Sequence, residues 1–194
     1  MALDDYHAGP KRRKNLTRID EDTVHLQAVQ YLGLRYRDTP IRTDYAAGLG
    51  LNKVQARKHA RLQGNTRAWP DIQVAHARLM GHGYNSEYWY HGLFIELKAP
   101  DVELFMRRDG STMRQGDHKI RLKGDWANVH YEEQAETLAK LRAAGYWADF
   151  AVGFDEFQAI VDDYMRGHKM VVRYELGMDF TKRDTATIPN ATPF

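Results

Sequence analysis

Residues 93–98 read Leu-Phe-Ile-Glu-Leu-Lys, and strict two-residue alternation of this kind identifies a β-strand. The same alternation sorts the side chains. Leu93, Ile95 and Leu97 fall on one face, and Phe94, Glu96 and Lys98 on the other. A carboxylate and an amine therefore project together from a strand that is otherwise apolar. A strand interior rarely carries an ammonium without a partner, so the pair must be matched by chemistry elsewhere in the fold.

The flanking sequence predicts what surrounds this strand. Thr17 or Asp20 can cap a helix running to about Arg35, in which Val24, Ala28, Tyr31 and Leu32 recur near helical spacing. After Asp38-Thr39-Pro40, IRTDYAAGL is expected to be a short strand. Asn52 is then placed to cap a helix KVQARKHARLQ ended by Gly64-Asn65, with Lys53, Arg57 and Arg61 as one cationic stripe. Pro70-Asp71 opens a β-like run, IQVA. The aromatic run Tyr88-Trp89-Tyr90 suits a hairpin packed on the sheet better than a platform for unpaired bases. Residues 100–130 carry turn signals at Asp109-Gly110, Gly116-Asp117 and Lys123-Gly124, which predict hairpins or an excursion from the main sheet.

Helical period returns from Glu132 to Ala144, with Gln134, Leu138 and Leu141 on one stripe and Gly145 closing it. WADFAVGF reads as a buried strand and DEFQAIVDDYM as a helix burying Phe157, Ile160, Val161 and Tyr164, while VVRYEL offers one further strand. The resulting order predicts an α/β domain, a mixed central sheet flanked by helices. Its expected extent is residues 20–166, preceded by a basic arm over 1–19 and followed by a C-terminal extension over 167–194.

Composition narrows the chemistry. The 194 residues contain no cysteine, which excludes disulfides, thiolate metal sites and a cysteine nucleophile. No apolar run approaches a membrane span and the N-terminus lacks a secretory h-region, so a cytoplasmic protein is expected. The 28 Lys and Arg against 26 Asp and Glu leave a net charge of only +2, too small to argue for nucleic acid as a partner. Local segregation says more, because KRRKNLTR and the stretch from Tyr45 to Pro70 hold basic residues without acids. The nine histidines form no H-x-x-x-H helical pair, and Gly48 and Gly50 are not followed by the Lys-Ser/Thr of a phosphate-cradling loop.

The informative set is Asp71, Glu96, Lys98 and Gln134. Asp71 at a strand start and Glu96 in a neighbouring strand can converge on one hard cation, for which Mg²⁺ is the natural occupant and Mn²⁺ a substitute. Lys98 can position or deprotonate an attacking water and offset phosphate charge. The inward amide of Gln134 can orient a ligand or a water. Taken singly these residues have plainer explanations, a turn aspartate and an ordinary cross-strand ion pair. Taken jointly, they point to a site.

At these residues the chain resembles the VRR-NUC family of the PD-(D/E)XK nuclease superfamily, in its phage and bacterial stand-alone form. RLQGNTRAWPDIQVA is similar to the family's helix, glycine turn and PD strand, HGLFIELKAP to its E-x-K strand, and EEQAETLAKLRAAGYWADFAVGFDEFQAIVDDY to its closing helix, strand and helix. The resemblance implies a restriction-endonuclease-like fold and a Mg²⁺-dependent endonuclease. It implies Asp71, Glu96 and the Leu97 carbonyl as metal ligands, Lys98 as the catalytic lysine and Gln134 as the active-site glutamine. The family often places an acid just before a first-helix Gln, here Gln27. That position holds no acid in this chain, leaving His25, Glu21 or neither to fill the role. The implied partner is DNA, held by Lys53, Arg57 and Arg61, with a branched substrate such as a Holliday junction cut by a homodimer. Flaps, nicked duplex, RNA, or a weakly catalytic binding module are the alternatives.

Overall fold

A computed structural model of the chain describes residues 19–43, 52–55, 57–58, 68–80, 88–111, 120–168 and 173–174. Helix α1 (Glu21–Arg35) begins at Asp20, whose carboxylate accepts the Thr23 backbone N–H at 2.9 Å. Glu21 and Asp22 sit in its first turn, where acidic groups favour the helix dipole, and Val24, Ala28 and Leu32 form its buried stripe. The alternative cap, Thr17, lies outside the described residues.

Four strands make the central sheet, in the order β1 (Ile41–Thr43), β2 (Ile72–Val74), β5 (Leu93–Lys98), β8 (Trp147–Val152). The first two pairings are antiparallel and β5 with β8 is parallel, so the sheet is mixed. The parallel pair is joined through α2 (Val129–Ala143), and β8 is followed by α3 (Phe154–Arg166). Both β5 and β8 are buried along their whole length, as a strand covered on two faces must be.

The alternation of β5 is what divides the interior. Leu93, Ile95 and Leu97 pack with Val24, Ala28 and Leu32 of α1 and Phe157, Ile160, Val161 and Tyr164 of α3. Phe94 enters a second core with Ala148, Phe150, Leu138 and Leu141 under α2. The two cores flank one sheet, as the sequence predicts for a mixed sheet covered by helices. Asn128 starts α2 earlier than the apolar period suggests, its side chain accepting the Tyr131 N–H at 2.9 Å. Gly145 ends α2 in the left-handed region, at φ 85°.

Two small antiparallel pairs complete the fold: β3 (Arg78–Met80) with β4 (Tyr88–Tyr90), and β6 (Gly110–Ser111) with β7 (Ile120–Arg121). The first is the expected aromatic hairpin, in which Tyr90 packs on Trp147 while Trp89 stays exposed. The expected helix after Asn52 is seen at Lys53–Gln55 and residues 57–58. The Asn52 side chain caps it by accepting the N–H groups of Val54 and Gln55. Its remainder lies outside the described residues, as do the N-terminal arm and most of the C-terminal extension. Arg173 and Tyr174 are described and are not in a strand; Tyr174 is buried in the second core.

Candidate active site

The antiparallel register aligns Ile72 with Ile95, so Asp71, one residue before β2, comes opposite Glu96. Asp71 Oδ2 accepts the backbone N–H of Leu97 at 2.7 Å, which fixes its carboxylate against the E-x-K strand. The parallel register holds the other side, with Glu96 beside Phe150 and Lys98 beside Val152. Gly153 stands at the end of β8 with φ 81°, and its N–H binds the Lys98 carbonyl at 2.8 Å. A Cβ there would lie 3.1 Å from Pro100 Cβ, so glycine lets the chain turn into α3 tightly against the residues following Lys98.

Glu96, Lys98 and Gln134 are respectively 2%, 3% and 4% exposed. The Lys98 ammonium donates to Glu96 Oε1 at 2.6 Å and to the Leu97 carbonyl at 2.7 Å. The Gln134 amide also donates to Glu96 Oε1. Gln134 reaches this point because it shares the buried stripe of α2 with Leu138 and Leu141, as its spacing predicts. From the first turn of α1, Glu21 Oε2 lies 3.7 Å from Lys98 Nζ. The Tyr131 ring faces the same ammonium, with its centroid 5.8 Å away. Of the sequence-predicted set, the structure brings Asp71, Glu96, Leu97, Lys98 and Gln134 together and adds Glu21.

The electrostatics follow from burial and crowded carboxylates. Burial, and then Asp71, push the Glu96 carboxyl above its ordinary range against the pull of Lys98. Burial alone would lower Lys98, but Glu96, Glu21 and Asp71 outweigh it and hold the ammonium charged. Burial also raises Glu21, opposed by Lys98 and reinforced by Asp71. The ammonium thus occupies the oxygen set expected to face a cation.

Among the described residues no group of three or more His, Asp or Glu side chains is arranged to hold a metal ion. The donors that would serve are the two carboxylates and the Leu97 carbonyl. All are hard oxygens, and Glu96 Oε2 is buried with no hydrogen-bond partner. Gln134 Oε1 is likewise buried and unpartnered. A buried carboxylate oxygen without a donor fits a divalent cation or a water bound to one.

Lys53 and Arg57 are exposed; Arg61 lies outside the described residues. His25, the other first-helix candidate, is half-buried on α1. Sequence reasoning did not single out Tyr131, which lies three residues before Gln134 on the same helix face.

Among the described residues, no helix is long and apolar enough to cross a membrane. No protein-family model matches the chain, and no curated protein matches it. A solved structure described as "VRR_NUC domain protein" is similar, with 22% sequence identity, a TM-score of 0.47, and coverage of 82% of this chain and 98% of that one.

Proposed function

We propose that the chain is a metal-dependent nuclease that hydrolyses phosphodiester bonds in DNA, acting as a homodimer on branched substrates such as four-way junctions. The observation that carries this reading is the buried Lys98 ammonium held against Glu96 and the Leu97 carbonyl, with Gln134 on the same carboxylate. A purely structural ion pair would gain little from such burial, since desolvation offsets most of its attraction.

Asp71, Glu96 and the Leu97 carbonyl would hold Mg²⁺ or Mn²⁺, and Glu21 stands close enough to Lys98 to shape the same charge cluster. When bound, the ion supplies Lewis-acid polarisation of the phosphate and a lower pKa for attacking water. Hydrolysis requires that the attacking water lose a proton and the leaving oxygen gain one. Lys98, held charged, is suited to orient that water and to neutralise the phosphate through its N–H groups, rather than to take a proton at the outset. Gln134 fixes the Glu96 carboxylate, so its role is positioning. Lys53 and Arg57, with Arg61, are proposed to hold backbone phosphates, which makes binding salt-sensitive. Two sites related by a dimer axis would cut two strands of a junction symmetrically.

The test is a cleavage panel of labelled four-way junction, flap, nicked duplex, duplex, single-stranded DNA and RNA in Mg²⁺, Mn²⁺ or EDTA, with Asp71→Ala and Lys98→Ala beside wild type. Junction cutting that needs the metal and both residues is expected. Cutting in EDTA, or full activity in both variants, would overturn the reading. Preference for another substrate would keep the chemistry and replace the junction. A monomer by light scattering would remove the paired incision.

A further inference from the structure

Between Lys98 and the helix that carries Gln134, the chain makes a detour that the catalytic constellation does not use. Its root is rigid. Phe105 stacks on Trp126 with centroids 4.3 Å apart and ring planes at 27°. Backbone bonds join Met106 to Asp125 and Gly124, and Ala127 to Leu104, at 2.8–2.9 Å. The Lys123 N–H donates to Asp109 Oδ1 at 2.7 Å, closing the two legs across the hairpin. Arg121, only 1% exposed, donates to the Trp126 carbonyl at 3.0 Å and to Glu132 at 3.2 Å. Glu132 lies on α2 two residues before Gln134, so the hairpin is tied directly to the helix of the active site.

What this root presents outward is unusual. Ile120 is 75% exposed and Leu122 60% exposed, either side of the buried Arg121, so strand alternation points both away from the root. Arg108 and Lys123, both exposed, flank them. An apolar pair held in water on a braced hairpin gains only when something covers it. The cations beside it select a polyanion, and a polyanion with apolar faces is a nucleic acid whose bases are unstacked.

We propose that the β6–β7 hairpin is a second nucleic-acid contact, resting on the phosphodiester reading of the neighbouring site. Arg108 and Lys123 take backbone phosphates, and Ile120 and Leu122 pack on base faces exposed at a branch or splayed end. The interior of a duplex offers no such faces. The cations therefore contribute on every substrate, whereas the apolar pair contributes only where pairing is interrupted.

Fluorescence anisotropy in EDTA with the full chain tests this, using a duplex, a splayed duplex and a four-way junction. The variants are Ile120→Ser/Leu122→Ser and Arg108→Glu/Lys123→Glu, each checked by thermal melting to be folded. The charge reversal is expected to weaken all three DNAs about tenfold at low salt. The apolar double variant is expected to weaken the splayed and branched DNAs about tenfold and the duplex less than about twofold. Wild-type affinity of both variants for every DNA would overturn the proposal. So would an apolar variant that changes only the oligomeric state by light scattering, because Ile120 and Leu122 would then belong to a contact between copies. Hairpin-dependent binding by a protein that cuts nothing would remove the nuclease reading alone. Normal cutting with unaltered binding by the variants would remove the hairpin assignment alone.

Discussion

The Lys98 ammonium and the Glu96 carboxylate meet at 2.6 Å inside the protein, where water reaches neither. Such a pair is stable only as a pair. Lys98→Met leaves Glu96 buried without its counter-charge and is expected to cost about 3 kcal/mol in urea unfolding with EDTA present. Glu96→Gln/Lys98→Met should recover much of that loss, because both charges are gone. If the double variant is as unstable as the sum of the singles, the two side chains are not coupled in the way their geometry requires.

Divalent cations should stabilise the folded chain independently of any cleavage. A cation that takes Asp71, Glu96 and the Leu97 carbonyl binds the native state and not the unfolded chain, and so raises the melting temperature with concentration. Ca²⁺, Mg²⁺ and Mn²⁺ titrations by scanning calorimetry should show this in wild type and lose it in Asp71→Asn and Glu96→Gln. Equal shifts in all three proteins would mean that the ions bind elsewhere.

Much of this site was legible because its parts follow local periods. The alternation of β5 put Glu96 and Lys98 on one face, and the 3.6-residue period of α2 put Gln134 inward, both as found. Glu21 was ambiguous for a physical reason. It sits in a capping turn, and whether its carboxylate turns to solvent or toward Lys98 depends on how α1 lies over β5, which no local pattern encodes. The hairpin after Pro100 was opaque because two-residue strands carry no period, and their order comes from the distant contacts of Phe105 with Trp126 and Arg121 with Glu132. Asp149 was hidden inside an otherwise apolar strand, where its backbone partners cannot be read from neighbours in sequence.

Asp162 ties the first and last helices. Its Oδ1 accepts the hydroxyls of both Tyr31 and Tyr36, at 2.7 Å from the latter. Burial would raise this carboxyl, but the two phenols and nearby Arg166 and Arg35 outweigh it and lower it. A lowered folded-state pKa means stability that is present above the unfolded value near 4 and lost as pH falls through the folded one. Asp162→Asn should therefore cost about 2 kcal/mol at pH 7, with the gap to wild type narrowing in acid. Urea midpoints at pH 7, 5 and 3 measure it; a gap that stays constant would show that the carboxylate's charge contributes nothing.

Asp149 should produce the opposite slope. It is completely buried in β8, where its two oxygens accept the N–H groups of Phe150 and Arg173, each at 2.9 Å. Burial raises its carboxyl to about 7, against the lowering effect of those two N–H groups and of the Arg142 and Arg173 side chains. With the folded value raised, its contribution to stability is full below the unfolded value near 4 and disappears as pH rises through about 7. The ionised form must be accommodated in the core at higher pH, so the wild-type urea midpoint should fall between pH 5 and pH 8. Asp149→Asn has no proton to lose and should flatten this part of the curve, while losing one of the two acceptors and with it the hold on Arg173. An unchanged slope in Asp149→Asn would assign the pH dependence to other groups. Partial flattening, accompanied by faster proteolysis after Arg173, would tie the C-terminal extension to this carboxylate.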